Sequence, residues 1–305
     1  MKTTKNRILT ALKLSVMVLL FLSAQTNLFA ASKQNSKISG VQIGTITYSF
    51  RSIPDQTLQG MLNAAKEAGL SSVELMGGAV EQFAGIPASS DPQVIRKWRS
   101  TVSMDKFKEA RKLFNSNGIK INILKLGDAG WSDEEIDYAF NACKAVGAQG
   151  ITSEISEDAA ARFAPFAEKH NLYAIFHNHG QPGNPNFSFD RVLAKGSKIM
   201  LNLDCGHYFG ATGESPVALI KRLHSRIVSF HIKDKTGPKA AVPNKNQVWG
   251  EGETPIADIL NLIKKEKYPI TCDIELEYTV PANSDAVKEV SKCLDYCKTA
   301  LTVKK

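Results

Sequence analysis

The chain has 305 residues, of which 43% are apolar and 22% are charged, with 38 basic and 30 acidic side chains. This composition is typical of a folded globular protein and excludes a disordered chain, a collagen, a coiled coil and a membrane protein with many spans. The formal net charge of +8 raises the question of nucleic-acid binding, and the location of the basic residues answers it.

A candidate export signal opens the chain. Four basic residues precede the apolar run 14–24, and small residues follow at 30–32. This order is typical of a secretory signal, and the apolar run is shorter than the stretch of about 20 residues that a transmembrane helix needs. We expect residues 1–30 to be a signal peptide whose removal leaves an exported, periplasmic chain without stable membrane insertion; an uncleaved anchor is the alternative.

The net charge is much smaller without the signal peptide. Its four basic residues are lost and it contains no acidic residue, so the charge falls from +8 to +4. We therefore expect no nucleic-acid partner.

The cysteines do not form a disulfide framework. Their number is odd and no C-x-x-C pair is present, so buried free thiols are expected even in an exported protein. They are Cys143, Cys205, Cys272, Cys293 and Cys297.

From residue 42 onward, short β-rich runs alternate with amphipathic stretches of helical period. Such alternation predicts right-handed βαβ units and a parallel sheet. The predicted strands are Gln42–Phe50, Ser72–Met76, Lys120–Leu126, Gly150–Ser156, Leu172–His179, Ile199–Asp204, Ile227–Ile232 and Ile270–Glu277.

Eight strands over about 235 residues match the size of an α/β protein with a (β/α)₈ TIM barrel. A doubly wound open sheet would carry a Gly-rich loop after the first strand, and the sequence TITYSFRSIPDQ has none. No Pro/Ser/Gly-rich linker divides the chain, so we expect residues 31–305 to form one barrel domain.

The polar residues of the later strands share one parity. Because side chains alternate between the barrel axis and the helix layer, and because active sites lie at the carboxyl ends of barrel strands, this parity predicts a site. The residues expected to face the axis are Thr152 and Glu154; Tyr173, Ile175, His177 and His179; Asn202 and Asp204; Ser229, His231 and Lys233; and Thr271, Asp273, Glu275 and Glu277. Val228, Phe230 and Ile232 are expected to face the helices.

Several carboxylates beside imidazoles would repel one another unless a positive charge lay among them. A divalent metal supplies that charge, and carboxylate oxygens with imidazole nitrogens suit Mn²⁺, Zn²⁺, Co²⁺ or Mg²⁺. We expect one such ion, with Mn²⁺ as the first choice.

Three segments carry a family resemblance. LNLDCGH, SFHIKDK and the run from GEGE at Gly250 to DIELE resemble, in this order, the xylose isomerase-like TIM barrels. That group contains sugar and sugar-phosphate isomerases and epimerases, inosose dehydratases and apurinic endonucleases. The resemblance implies that Asp204, His231 and Glu275 bind the metal.

The chain departs from the family at the fifth strand. Where the family commonly has a metal-binding Glu, this sequence has His177, followed by Asn178 and His179. Either His177 binds the metal, or Glu154 on the neighbouring strand completes the shell while His177 and His179 face the substrate. We prefer Glu154, because three carboxylates and one imidazole match the oxygen-rich shell of the family.

The resemblance also implies a reaction. The metal would act as a Lewis acid while a proton is removed next to a sugar carbonyl, which is enediolate chemistry. His177, His179 and His207 are candidates for proton transfer, and Lys233 for orienting or neutralising a substrate oxygen. Export favours a small non-phosphorylated substrate, a keto-sugar or a keto-glycoside, with isomerisation or epimerisation as the outcome.

Two alternatives remain open and one is disfavoured. The same intermediate could eliminate a substituent, as in a dehydratase or a cleavage of 3-keto-glycosides, or the barrel could bind carbohydrate without catalysis. An apurinic endonuclease would need His ligands on the second and third strands, which have none. The oligomeric state cannot be predicted from these patterns.

Overall fold

Eight parallel strands close into a barrel with the helices packed around it. The computed structural model describes residues 35–303. The strands are β1 (Val41–Ile46), β2 (Ser72–Met76), β3 (Lys120–Lys125), β4 (Gly150–Glu154), β5 (Tyr173–His177), β6 (Ile199–Asp204), β7 (Ile227–Ile232) and β8 (Thr271–Ile274). Each pairs in parallel with the next, and β8 pairs with β1, which closes the barrel. The predicted (β/α)₈ fold is therefore confirmed.

The helices are α1 (Leu58–Glu67), α2 (Gly77–Phe83), α3 (Pro92–Thr101), α4 (Asp105–Ser116), α5 (Asp133–Val146), α6 (Glu157–His170), α7 (Phe189–Leu193), α8 (Cys205–Thr212), α9 (Val217–Leu223), α10 (Ile256–Glu266) and α11 (Ala286–Thr302). Short 3₁₀ turns lie at Thr47–Phe50, Gln181–Gly183 and His224–Arg226. Two-residue strands pair at Asp234–Lys235 with Asn246–Gln247, and Lys37–Ile38 pairs antiparallel with β1.

Local sequence signals fix several helix ends. Helix α5 begins with a capping box between Ser132 and Glu135 and ends at Gly147, whose φ is 77°. Helix α6 begins at the N-cap Ser156 and ends at Asn171 with φ 53°. Glycine and asparagine adopt this left-handed conformation more readily than other residues, so they end helices efficiently.

Two apolar clusters fill the molecule. The larger one joins the outer face of the strands to the helices and contains the buried residues Phe230 and Ile232. The smaller one lies inside the barrel and consists of Ile123, Ile175, Met200 and Val228. This inner cluster fills the barrel interior with side chains, as in other TIM barrels.

The prediction for Val228 is wrong. The β6–β7 register shifts so that Leu201 pairs with Ile227 while Asn202 pairs with Ser229. The extra residue in β7 brings Val228 into the inner cluster instead of the helix layer. A bulge of this kind breaks the two-residue alternation on which the parity argument rests.

Other differences concern element ends. The predicted first strand stops at Ile46, because residues 47–50 form a 3₁₀ turn, and the fifth strand stops at His177. The six helical stretches predicted from the sequence correspond to α1, α4, α5, α6, α9 and α10, and the helical pattern at Cys293 and Cys297 corresponds to α11. Helices α2, α3, α7 and α8 have no predicted counterpart; three of these four have at most eight residues, too few for a clear amphipathic period. All five cysteines are buried and free, as expected.

The predicted signal peptide, residues 1–30, lies outside the described residues, and the boundary of the barrel domain at residue 31 stays a prediction. Within residues 35–303, no helix combines the length and hydrophobicity that a membrane crossing requires.

Candidate metal centre

Four side chains meet at the carboxyl ends of β5 to β8. We call them the central cluster: His177, Asp204, His231 and Glu275. Each is at most 5% exposed, and one ligand atom from each lies within 4.8 Å of those of the other three. The strand register explains the meeting, because Asp204 lies directly beside His231 across β6 and β7.

Asp204 is held by the turn from β6 into α8. As the N-cap of α8, its Oδ1 accepts a hydrogen bond of 2.7 Å from the His207 backbone N–H. Asn178 fixes the Asp204 backbone from the neighbouring strand, accepting from its N–H at 3.0 Å and donating to its carbonyl at 3.2 Å. These contacts leave Asp204 Oδ2 facing the cluster, 3.3 Å from His177 Nε2.

A buried carboxylate orients the imidazole of His231. Glu74 Oε2, on β2, lies 2.6 Å from His231 Nε2, and Thr152 donates to Glu74 Oε1 at 2.6 Å. Although burial disfavours its charged form, the contact with His231 keeps the pKa of Glu74 below its ordinary value. A histidine that binds a metal through one ring nitrogen usually forms a hydrogen bond to a carboxylate through the other.

The other nitrogen of His231 fits a metal. His231 Nδ1 lies 2.9 Å from Glu275 Oε2, and Lys233 Nζ lies 2.7 Å from the same oxygen. Both His231 Nδ1 and Glu275 Oε2 are buried and, within residues 35–303, neither completes a hydrogen bond, which is costly for buried polar atoms. A cation bound between them would satisfy both, so the residues present fit a divalent metal ion.

Lys233 introduces a positive charge into the same space. Its Nζ lies 2.9 Å from Asp204 Oδ2, 2.7 Å from Glu275 Oε2 and 2.6 Å from Glu277 Oε2. The lysine is only 2% exposed. Burial opposes its charged form, but the three carboxylates outweigh that effect and raise the pKa of Lys233.

Glu154 lies apart from the central cluster, at the rim of the barrel. Its side chain is 56% exposed, with Oε1 2.9 Å from Lys125 Nζ and Oε2 3.0 Å from His179 Nδ1. Glu154 Oε2 is also 3.9 Å from His177 Nδ1. Glu154, His177 and His179 thus form a second group of potential ligands that shares His177 with the first.

Two further imidazoles border the cluster. The rings of His179 and His207 have centroids 4.9 Å apart, and His207 Nε2 lies 3.6 Å from Glu277 Oε2. The hydrogen bond with Glu154 raises the pKa of His179, whereas burial lowers the pKa of His207 to about 4. Neighbouring groups whose pKa values are driven apart are suited to act as acid and base.

The predicted site residues are therefore all at the mouth of the barrel. Sequence reasoning missed Asn178, because parity directs its side chain away from the axis; it is nevertheless fully buried and holds Asp204. The signal available in the sequence was the position of this amide between two candidate histidines. Asp273 faces the axis as expected, but neither of its carboxyl oxygens has a hydrogen-bond partner among the described residues.

The fold and the site define a (β/α)₈ barrel with a buried carboxylate and imidazole centre at its mouth. Residues 62–297 match the model of the xylose isomerase-like TIM barrel family. The chain belongs to this family, as the resemblance of its motifs implied.

Solved structures share the fold at low sequence identity. A sugar phosphate isomerase/epimerase from Parabacteroides distasonis is 18% identical, with a TM-score of 0.59 over 87% of this chain and 96% of the other. A probable 3-DHS dehydratase from Bacillus anthracis is 14% identical, with a TM-score of 0.61 over 84% and 98%. The 3-keto-D-glucoside 4-epimerase from E. coli is 12% identical, with a TM-score of 0.59 over 85% and 99%. No curated protein sequence matches the chain.

Proposed function

We propose that this protein is an exported, metal-dependent carbohydrate isomerase or epimerase that moves a proton next to the carbonyl of a non-phosphorylated keto-sugar or keto-glycoside. The observation that carries the proposal is the buried cluster of four potential ligands, in which one ligand atom of each lies within 4.8 Å of those of the others, and in which His231 Nδ1 completes no hydrogen bond among the described residues. A metal centre of this composition, at the mouth of a barrel, suits carbonyl chemistry.

The ligands we propose are Asp204, His231, Glu275 and His177. His177 takes the fourth position in place of Glu154, because His177 is buried within the cluster while Glu154 pairs with Lys125 and His179 at the rim. Two carboxylates and two imidazoles remain compatible with Mn²⁺. A bound divalent ion would supply Lewis-acid polarisation of the sugar carbonyl.

The chain's own groups would handle the proton. His179, held by Glu154 and 45% exposed in its side chain, can carry a proton at the open side of the cluster. His207 Nε2, which has no hydrogen-bond partner among the described residues, offers a lone pair to accept one. Positioned acid and base groups of this kind contribute about 10²–10⁴-fold to a rate. Lys233 orients a substrate oxygen through its ammonium.

The contacts of Lys233 favour a neutral substrate. Its ammonium is already paired with carboxylates, so it does not offer a free positive charge to a phosphate dianion. The export signal expected in residues 1–30 agrees with this, because sugar phosphates are mostly cytoplasmic. One structural neighbour is a 3-keto-D-glucoside 4-epimerase, whose name describes a reaction of the proposed class.

The test uses the chain without residues 1–30, loaded with Mn²⁺, and a panel of 3-keto-glycosides and free keto-sugars in D₂O. Incorporation of deuterium next to the carbonyl, with an epimer or isomer as product, supports the proposal. Release of the aglycone or of water would indicate elimination at the same site. Asp204→Asn serves as the inactive control, and neither exchange nor release with any keto-sugar would refute the proposal.

A further inference from the structure

The lysine of the centre touches the oxygens that a metal ion would need. Lys233 Nζ lies 2.9 Å from Asp204 Oδ2 and 2.7 Å from Glu275 Oε2. Asp204 Oδ2 is also the atom that faces His177 Nε2, and Glu275 Oε2 is the atom that faces His231 Nδ1. The ammonium and a divalent ion would therefore compete for the same two oxygens.

The third contact of the lysine lies outside the proposed ligand set. Lys233 Nζ donates a hydrogen bond of 2.6 Å to Glu277 Oε2, and the side chain of Glu277 is 20% exposed, toward the rim. Glu277 also lies 3.6 Å from His207 Nε2. The ammonium can keep this partner if its other two carboxylates are taken by a metal.

We infer that Lys233 is the resident counter-cation of the centre: its ammonium neutralises Asp204 and Glu275 in the metal-free protein and withdraws to Glu277 when a divalent ion binds. This inference rests on the proposed metal centre. Two carboxylates this close and this buried would repel each other strongly without a cation. An ammonium and a divalent ion on the same oxygens would repel each other as well, so the lysine must move.

The exchange gives Lys233 two roles. In the metal-free chain it stabilises the buried carboxylates, and with metal bound it presents its ammonium beside Glu277, next to His207, where a substrate oxygen can reach it. Lys233 thus acts as a positioning residue, and the position of its ammonium depends on whether a metal ion is bound.

The experiment measures Mn²⁺ binding to EDTA-treated protein by isothermal titration, without substrate. Lys233→Met should bind Mn²⁺ at least about tenfold more tightly than the wild type, because the competing charge is gone. The metal-free variant should melt at a lower temperature than the metal-free wild type, and Mn²⁺ should raise its melting temperature by more. Lys233→Gln carries the same expectation and keeps a donor for the carboxylates, in case the methionine variant does not fold.

Lys235→Met is the matched control. Lys235 is also buried, two residues further along, but its Nζ donates to Asn246 Oδ1 at 2.8 Å and makes no ion pair with a carboxylate among the described residues. The same loss of charge should raise Mn²⁺ affinity clearly less than Lys233→Met does, since Lys235 does not contact the ligand oxygens and acts on them only from a longer distance.

A double-mutant cycle distinguishes withdrawal of the Lys233 ammonium to Glu277 from direct attraction of the metal ion by the Glu277 carboxylate. Glu277→Gln should weaken Mn²⁺ binding in the wild type, because the lysine loses its alternative partner and the site loses a negative charge. It should weaken binding less in the Lys233→Met background, where only the charge is lost. Equal weakening in both backgrounds would overturn the inference. So would equal Mn²⁺ affinity of the wild type and Lys233→Met, with the metal centre itself intact; no binding by either protein would overturn both proposals.

Discussion

Asp273 offers a sharp test of the electrostatics inside the barrel. It is fully buried, and neither carboxyl oxygen has a hydrogen-bond partner in the described part of the chain. Burial, with a contribution from the charge of Glu74, raises the pKa of Asp273 from its ordinary 3.8 to about 8. The folded protein therefore keeps this carboxyl protonated at neutral pH, whereas the unfolded chain ionises it.

The sign and size of the effect follow by linkage. Between pH 4 and pH 8 the folded state holds a proton that the unfolded state has lost, so stability falls as pH rises. The slope is about 1.4 kcal/mol per pH unit, which amounts to about 2.7 kcal/mol between pH 5 and pH 7. Above pH 8 both states are ionised and the slope disappears.

Asp273→Asn removes this titration and keeps the shape of the neutral acid. Urea unfolding at pH 5, 6, 7 and 9 should show the stability of the variant, relative to the wild type, rising by about 2–3 kcal/mol from pH 5 to pH 7, rising further up to about pH 8 and then levelling off. Asp295→Asn, at an exposed position of α11, controls for the loss of a carboxyl group. A stability difference between Asp273→Asn and wild type that stays constant from pH 5 to pH 9 would refute this reasoning.

The other predictions concern the central cluster and its supports. Glu74→Gln should weaken Mn²⁺ binding about 10- to 100-fold in isothermal titration, because the supporting carboxylate is lost; unchanged affinity would contradict that role. Gly206→Ala should cost about 1–3 kcal/mol in chemical denaturation, because its Cβ would lie 2.3 Å from Lys233 Cγ, while Gly180→Ala, with nothing within 4 Å, should change stability by less than about 0.5 kcal/mol. His179→Gln should slow substrate deuterium exchange about 10²–10⁴-fold and leave Mn²⁺ affinity within about threefold; a rate equal to the wild type would exclude it from proton transfer.

Much of the fold and part of the site could be predicted from the sequence because side-chain alternation is a local property of a strand. Parity predicts that Asp204, His231 and Glu275 face the axis, and each is buried there; their selection as ligands among the inward residues depends on the family resemblance. Val228 shows the limit of this argument, since the bulge in β7 depends on pairing with β6.

The choice between Glu154 and His177 could not be made from parity, because both face inward. Each is also the last residue of its strand, and the two pair with each other across β4 and β5. The choice depends on what their neighbours offer: Glu154 contacts Lys125 and His179 at the rim, whereas His177 packs against the His231 ring at a centroid distance of 4.5 Å. Likewise, the three carboxylates around Lys233 come from the ends of two strands, Asp204 from β6 and both Glu275 and Glu277 from the segment after β8. Nothing in the sequence indicates that one lysine contacts all three.

The central claim is tested most directly by counting Mn²⁺ ions on purified, EDTA-treated protein by isothermal titration. We predict one ion per chain for the wild type and for Glu154→Ala, and loss of binding in His177→Ala. At 100 times its dissociation constant, the ion should stabilise the wild type by roughly 2.7 kcal/mol. Retention of the ion by His177→Ala with loss in Glu154→Ala would contradict the ligand set, and no binding by the wild type would contradict the metal centre.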